Sequence, residues 1–263
     1  MRYFRLILIF IKAALQNESA YRLNFFMNFL SAALSLAGGI GGIYIVYVNN
    51  EVLNGWTMPE TLSVLGVYML VQAIKNIVIG PSMNLLGGMG GEIEKGTFDY
   101  TLMKPISTQY YISVREWSVW SIMHIAVAIG VIIFAINGMG KEIGMTTVAL
   151  FLLALVVALG ILYSIMLILS SIAFWYRGTY VLWIMEDVLQ AGRYPIGIYP
   201  RSLQFLLLWV LPVGFIVAVP AEVLVQKAQP HMLIGGFILM AVLFVCATIF
   251  FNRSLRRYSG ASS

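Results

Sequence analysis

Residues 143–176 read IGMTTVALFLLALVVALGILYSIMLILSSIAFWY and contain no charged side chain over 34 positions. A helix needs roughly 20 consecutive apolar residues to cross the hydrocarbon of a bilayer. This run is longer than that and is too uniformly apolar for the alternating pattern of a barrel strand. Because a backbone in lipid must satisfy its hydrogen bonds internally, the run predicts a membrane-spanning helix.

The same pattern recurs along the rest of the chain. Charge-free stretches lie at residues 23–50, 117–140, 202–221 and 228–252, and a further stretch at 61–91 is interrupted only by Lys75. Charged residues make up 10% of the chain, against about a quarter in soluble domains. The sequence therefore predicts an all-α polytopic membrane protein with six transmembrane helices. Their predicted bounds are about 22–48, 61–85, 117–137, 144–174, 203 to a proline-containing break, and 231–251.

The basic residues are divided unequally between the two sides that successive loops face. One side is predicted to carry 13 of the 16 basic residues, the other carries Lys141 and Lys227, and Lys75 lies within a span. The positive-inside rule then predicts a multi-pass protein of the inner (plasma) membrane with both termini in the cytoplasm. This distribution accounts for the net charge of +5, so no nucleic-acid partner is predicted. The 13 residues are Arg2, Arg5, Lys12, Arg22, Lys95, Lys104, Arg115, Arg177, Arg193, Arg201, Arg253, Arg256 and Arg257.

Residues 1–20 are predicted to form an amphipathic helix ahead of a six-helix transmembrane domain at residues 21–263. At 100° per residue, Arg2, Arg5 and Lys12 share one narrow face and the remaining surface is apolar. Such a helix lies in the membrane interface with its basic face toward anionic lipid headgroups. Lys12 interrupts the apolar run, which argues against a cleaved signal peptide.

Three segments between the spans carry the remaining predictions. Residues 87–116 are predicted to be a cytoplasmic segment with a short amphipathic helix across the mouth of the bundle. Residues 177–202 are predicted to be a second cytoplasmic segment, and residues 211–230 a broken exterior segment containing Pro212 and Pro220. Spans three and four are joined by a very short turn and are predicted to form an antiparallel hairpin.

Three motifs in these segments resemble those of a known family. They are GTFDYTLMKPIS at residues 96–107, RYPIGIYP at 193–200 and LPVGFIVAVPA at 211–221. With the order of the predicted helices, they make essentially the whole chain similar to the ABC-2 type permeases, in particular the six-helix ABC-2 family transporter proteins. The resemblance implies a type V exporter-like fold and the function of a transmembrane permease subunit in an ATP-binding cassette exporter.

The resemblance also implies partners. The chain would pair with a second permease, identical or a sister chain, and dock on cytoplasmic ABC ATPase subunits. It has no Walker A motif of the form G-x-x-x-x-G-K-[ST], so ATP and Mg²⁺ are expected on the partner. No catalytic, cofactor or metal site is expected on this chain itself.

In the family, the first cytoplasmic loop after span two carries the helix that couples the permease to the ATPase. That helix would lie within residues 91–107 of this chain. A solvated charged face is the ordinary alternative for the same charges. The residues that the resemblance assigns to ATPase coupling are Glu92, Glu94, Lys95, Phe98, Asp99 and Leu102.

A charge within a span is costly, so Lys75 is expected to face a polar cavity or an internal partner. Its neighbours Gln72 and Asn76 favour a polar face, and Lys75 and Gln72 are candidates for the translocation path. A structural ion pair is the competing interpretation. Glu186, Asp187 and Arg193 are weaker candidates for a cytoplasmic entrance, and Glu186 and Asp187 could instead only solubilise an interfacial helix.

A different class of function remains open from the residues alone. The chain could be a membrane channel or an assembly scaffold that works without an ATPase. A secondary transporter is less favoured, because the six predicted spans contain no clear internal repeat and only one mid-span charge.

Overall fold

A computed structural model describes residues 2–19, 22–49, 52–176 and 181–258 of the chain. The fold is 81% helical and almost free of sheet, as predicted for an all-α protein. The junction at residues 20 and 21 between the predicted interfacial helix and the six-helix domain lies outside the described residues. So does the beginning of the predicted second cytoplasmic segment, residues 177–180, with Arg177.

The described residues form thirteen α-helices and one short antiparallel hairpin. The hairpin pairs β1 (Val52–Leu53) with β2 (Trp56–Thr57). A π-helical turn, Lys75–Ile79, joins α3 to α4. The helices are α1 (Arg2–Ser19), α2 (Arg22–Tyr47), α3 (Met58–Ile74), α4 (Gly80–Gly87), α5 (Glu92–Lys95), α6 (Asp99–Leu102), α7 (Thr108–Val114), α8 (Ile122–Met139), α9 (Met145–Ser171), α10 (Val181–Gln190), α11 (Arg201–Phe205), α12 (Val219–Leu224) and α13 (Pro230–Leu255).

Five continuous helical segments are long and apolar enough to cross a membrane, and they match five of the six predicted spans. They are Phe26–Tyr47, Met58–Lys95, Val119–Met139, Met145–Phe174 and Pro230–Leu255. A further pair, Arg201–Val210 and Gly214–Leu224, passes the same test only when taken together and is bent by 80°.

Helix α3 is the centre of the bundle. In the most apolar part of Met58–Lys95, the segment that begins with α3, 72% of the residues are buried, compared with 17% in Phe26–Tyr47 and 11% in Pro230–Leu255. It packs against α2 and α8, and also against α12, while α4 packs on α9. The approach of α4 to α9 requires Gly87, because a Cβ atom there would overlap the backbone carbonyl of Ser170. The outer helices leave apolar faces exposed, as suits contact with lipid tails.

Helices α8 and α9 follow one another in the chain but do not pack mainly on each other. The main neighbour of α8 is α3, whereas that of α9 is α13. Gly140, in the left-handed conformation with φ of 61°, ends α8, and α9 begins only at Met145. This connection is long enough for the two helices to diverge, so the two consecutive spans pack on different neighbours.

The two ends of the bundle can be distinguished by their contacts. The Glu60 end contains the β-hairpin, the beginning of α3, the turn at 140–144 and residues 225–229, where Lys227 Nζ donates to the Gly55 carbonyl at 2.7 Å. The Arg115 end contains α1, α5, α6, α7 and the C-terminus of α13. There the Tyr110 hydroxyl donates to the Tyr3 carbonyl at 2.9 Å, which attaches α1 to α7.

The segment predicted at 177–202 is not confined to one end of the bundle. Glu186 pairs with Lys75, which follows the C-terminus of α3. Further along, the guanidinium of Arg193 lies 5.3 Å from the Tyr68 ring centroid. The Gly197 carbonyl then accepts a hydrogen bond of 3.0 Å from Asn54 at the Glu60 end.

Residues 181–200 therefore run along α3 from the region of Lys75 to the Glu60 end. The prediction assigned residues 193–200 and the loop containing Asn54 to opposite sides of the membrane. Because the two segments are in contact, one of these two placements must be wrong. Since Lys141 and Lys227 also meet at the Glu60 end, the placement of Arg193 and Arg201 with the cytoplasmic residues was wrong. The local signal was misleading because charges and prolines usually mark a surface loop.

The predicted fifth span is instead a re-entrant hairpin. It begins just after Gly197 at the Glu60 end, and it returns there at Val225, whose carbonyl accepts a hydrogen bond of 3.1 Å from Lys141. Between these points, Val213 and Val217 pack against Gly192, within the segment that runs along α3. The bend lies beside Pro212, where the sequence predicts a break. The sixth passage through the bundle is therefore made by residues 181–200.

Glu60 joins three connections at its end of the bundle. Its side chain, only 6% exposed, accepts from Lys141 at 3.1 Å and from Lys227 at 2.5 Å. It also accepts from the Thr57 backbone N–H at 3.0 Å, at the beginning of α3. Lys227 Nζ lies 4.8 Å from the Trp56 ring centroid. One buried carboxylate thus ties the β-hairpin to the turn after α8 and to the loop before α13.

We expect Glu60→Gln to destabilise the fold, because a neutral amide cannot replace hydrogen bonds to two ammonium groups. The expected loss is about 2 kcal/mol, the usual range for hydrogen bonds to charged groups. It is measured as a lower melting temperature of the purified protein in detergent. Glu142→Gln, which removes an exposed carboxylate at the same end, is the control. Equal melting temperatures of the two variants would contradict the role of Glu60.

Candidate functional site

A polar cavity of about 200 Å³ lies between α2, α3, α8 and α10. It brings together Gln72, predicted for the translocation path, with Glu186 and Arg193, predicted separately for an entrance. Asp187 is not among its lining residues, since it is exposed and accepts from Gln190 Nε2 at 3.3 Å. The lining residues are Ser31, Ser35, Tyr68, Met69, Gln72, Asn76, His124, Glu186, Gln190 and Arg193.

Lys75 lies behind this cavity and does not line it. It is fully buried, and its ammonium group is paired with the Glu186 carboxylate. The Glu186 side chain is 42% exposed and faces the cavity, so it connects a buried cation to a polar space. This pair is consistent both with the internal partner expected for Lys75 and with the competing structural ion pair. Its position at the beginning of a π-helical turn is notable, since such turns are frequent at functional sites.

Tyr68 organises the part of the cavity nearer the Glu60 end. Its hydroxyl accepts from Gln72 Nε2 at 3.1 Å, and its ring lies 5.3 Å from the Arg193 guanidinium. Gln72 Oε1 and Arg193 Nε are buried and have no hydrogen-bond partner within the described part of the chain. Because an unsatisfied buried polar atom is costly, these atoms suit contact with water or a polar solute.

Sequence reasoning missed several residues of the cavity that a simple spacing rule connects. Residues four apart lie on one face of a helix. Tyr68, Gln72 and Asn76 follow that spacing, as do Ser31 with Ser35 on α2 and Glu186 with Gln190 on α10. Three polar stripes on otherwise apolar helices were thus visible in the sequence, although which stripes face each other was not.

A second candidate site occupies the Arg115 end. Arg115 Nη1 donates to Glu92 Oε2 at 2.7 Å and to Thr101 Oγ1 at 3.0 Å. The Thr101 hydroxyl donates to the same Glu92 oxygen at 2.8 Å. Arg115 is only 8% exposed, so this network is largely shielded from water. It fixes α5 and α6 to the segment that follows α7.

Phe98 is a second internal anchor of this region. It is fully buried, and its ring packs edge-to-face on Phe174 at 5.2 Å and on Tyr258 at 5.3 Å between centroids. Just before it, Gly96 ends α5 with φ of 68°, a conformation that favours glycine. Phe98 thus connects α5 and α6 to the ends of α9 and α13.

The six residues predicted for ATPase coupling consequently divide into three groups. Glu92 and Phe98 point inward and hold the segment in place, and Asp99 is half-buried. Glu94, Lys95 and Leu102 are exposed, as are Tyr100 at 67% and Met103 at 70%, which were not among the predicted residues. The exposed set is called the α5–α6 face: Glu94, Lys95, Tyr100, Leu102 and Met103.

The long apolar helices around a polar cavity define a multi-pass helical membrane protein. A family model described as ABC-2 family transporter protein matches residues 33–262, which is most of the chain. The chain belongs to this family and is a membrane permease component of an ABC transporter, which is not itself catalytic. Membership implies association with ABC ATPases in general. Searches of curated proteins and of solved structures found no match.

Proposed function

We propose that this chain is the permease of an ABC exporter of the inner membrane, energised by separate cytoplasmic ATPase subunits that dock on the α5–α6 face. The observation that carries the proposal is the buried Glu92–Thr101–Arg115 network. It holds an exposed and partly apolar face rigidly at one end of a transmembrane bundle. A rigid face can transmit a push from a partner, whereas a loose loop would absorb it.

The distribution of charge supports a cytoplasmic position for the Arg115 end. With Arg193 and Arg201 reassigned, that end still carries most of the basic residues, so the positive-inside rule gives the same orientation. Both termini are then cytoplasmic, and α1 lies against the inner surface of the membrane in contact with lipid. The basic residues described at this end are Arg2, Arg5, Lys12, Lys95, Lys104, Arg115, Arg253, Arg256 and Arg257.

The route from the α5–α6 face into the bundle passes through packed contacts. Phe98 packs on Phe174 at the end of α9, and α4 packs on α9 through Gly87. Closure of an ATPase dimer would move these elements together as a rigid body between discrete packed arrangements. The polar cavity along α3 and α10, with Gln72, Glu186 and the buried Lys75, is the proposed translocation path. A second permease, identical or a sister chain, would complete it.

Docking on the α5–α6 face can be tested with Tyr100→Glu combined with Met103→Glu. Tyr100 and Met103 are exposed in the free chain and would be buried against the ATPase, so the substitutions place two carboxylates in the interface. Large apolar side chains of this kind contribute most of the binding energy of an interface. We expect the ATPase that co-purifies with the wild-type chain from its native membrane to fall by about tenfold or more, which corresponds to about 1.4 kcal/mol. The readout is quantitative mass spectrometry of the purified complex.

Val52→Glu is the control, since Val52 is an exposed apolar residue at the opposite end. It should retain the ATPase. Full retention by the double variant would overturn the docking assignment. A chain that conducts ions or assembles without any ATPase would favour a channel or scaffold instead.

A further inference from the structure

A basic pocket lies at the C-terminus of α13. It has a volume of about 460 Å³ and is lined by Trp175, Phe250, Arg253, Arg256 and Arg257. The Arg257 guanidinium lies 4.3 Å from the Trp175 ring centroid, and Trp175 Nε1 donates to the Ser254 hydroxyl at 3.1 Å. The aromatic wall is therefore fixed to α13, and the pocket has a defined shape.

The three arginines of this pocket have no acidic partner among the described residues. The basic residues that form ion pairs in the described part of the chain are Lys75, Arg115, Lys141 and Lys227, and none of them lines this pocket. Basic residues are common at helix C-termini, where their positive charge interacts favourably with the negative end of the helix dipole. That explanation accounts for the charge but not for a pocket with an aromatic wall. Three unneutralised guanidinium groups around one pocket suit an anion, most of all a phosphate.

An apolar groove continues from the basic pocket between α9 and α13. It has a volume of about 330 Å³ and is lined by Ile168, Cys246, Ile249, Phe250 and Arg253. Phe250 and Arg253 line both spaces, so the two are contiguous. From Cys246 to Leu255, its last residue, α13 rises roughly 14 Å, enough for much of an acyl chain below its headgroup.

We propose that this pocket and groove bind one anionic glycerophospholipid. The headgroup phosphate lies among Arg253, Arg256 and Arg257, and an acyl chain lies in the groove against Ile168 and Ile249. Basic pockets between transmembrane helices are the known type of site for anionic headgroups. A free phosphate would need only the arginines, whereas the contiguous groove favours a lipid. The site does not depend on ATPase docking.

The charge requirement is tested on the full-length chain, purified in mild detergent and supplied with equal amounts of phosphatidylglycerol and phosphatidylcholine that carry the same acyl chains. Native mass spectrometry then counts the lipids retained. We expect phosphatidylglycerol to be preferred by about tenfold, and Arg253→Gln/Arg256→Gln/Arg257→Gln to abolish the preference. The control, Lys95→Gln/Lys104→Gln, removes two exposed charges from the same end, outside both the pocket and α1, and should keep it.

The groove is tested through Cys246, the single cysteine of the chain, which is exposed. Its alkylation with a benzyl maleimide should fill the groove and lower phosphatidylglycerol retention, while a Cys246→Ser chain treated in the same way is unaffected. The alkylation experiment tests lipid binding in the groove even if the triple arginine variant does not fold. The proposal is overturned if the wild type shows no preference. It is also overturned if inorganic phosphate alone displaces the lipid while alkylation changes nothing.

Discussion

Glu186→Gln should lower the stability of the protein more than Lys75→Met, although the two substitutions break the same ion pair. Lys75 is fully buried, so loss of Glu186 leaves an uncompensated charge inside the bundle. Removing one partner of a buried pair in this way costs about 3–5 kcal/mol. In contrast, Lys75→Met leaves a carboxylate that is 42% exposed and can be hydrated.

The double variant Lys75→Met/Glu186→Gln should recover most of the stability lost in Glu186→Gln, since it contains no unpaired charge. Melting temperatures in detergent, compared as a double-mutant cycle, measure this coupling. Asp187→Asn is the control, because it removes the adjacent but exposed carboxylate. If the two single variants melt at the same temperature, the asymmetry argued here does not exist.

The same variants test whether the cavity is part of the path. We expect Lys75→Met to change transport more than membrane insertion, because it leaves unpaired a carboxylate that lines the cavity. Insertion is measured by the yield of protein in the membrane, and transport by flux per inserted molecule. Unchanged flux with normal insertion would remove Lys75 from the mechanism and leave it a structural ion pair.

Glu92→Gln should loosen the α5–α6 region by about 3 kcal/mol. The substitution leaves Arg115 without its charged partner, and Nε and Nη2 of that buried guanidinium have no hydrogen-bond partner among the described residues even in the wild type. Since α5 and α6 have four residues each, they depend on this network and on Phe98 for their position. Local unfolding is the expected result.

Limited proteolysis with trypsin measures that unfolding, since Lys95 is exposed at the end of α5 and is followed by Gly96. Cleavage after Lys95 should be faster in Glu92→Gln than in the wild type. Glu94→Gln is the matched control, because Glu94 is exposed and accepts a hydrogen bond of 2.7 Å from the backbone N–H of Gly90 within its own turn. Equal cleavage rates in the two variants would show that the Glu92–Arg115 pair does not hold the region.

The spans were predictable where apolar length alone decides the structure. The 34-residue uncharged run at 143–176 contains the whole of α9 and extends only a few residues beyond it at each end. The charge-free stretches around α2, α8 and α13 likewise correspond closely to these helices. In these helices each residue needs only lipid or another apolar side chain as a neighbour, so local composition is sufficient.

The passage made by residues 181–200 could not be predicted in this way. Its charges look like those of a surface segment, and their compensation comes from Lys75 and Tyr68, more than 100 residues earlier in the chain. A contact with a residue far along the chain also explains why Glu92 points inward while Glu94 is exposed. Both are acidic residues in one short helix, and only the distant Arg115 makes the first of them internal.

The re-entrant hairpin at residues 201–224 has a consequence for how tightly the permease is sealed. Val213, Ile216 and Val217 of this hairpin are completely buried, and the hairpin enters the bundle from the Glu60 end. A hydrated ion that reached this plug would have to exchange its water shell for aliphatic walls, so the barrier to leakage comes from dewetting. In the proposed mechanism, this barrier would let the polar cavity receive cargo without dissipating the membrane potential.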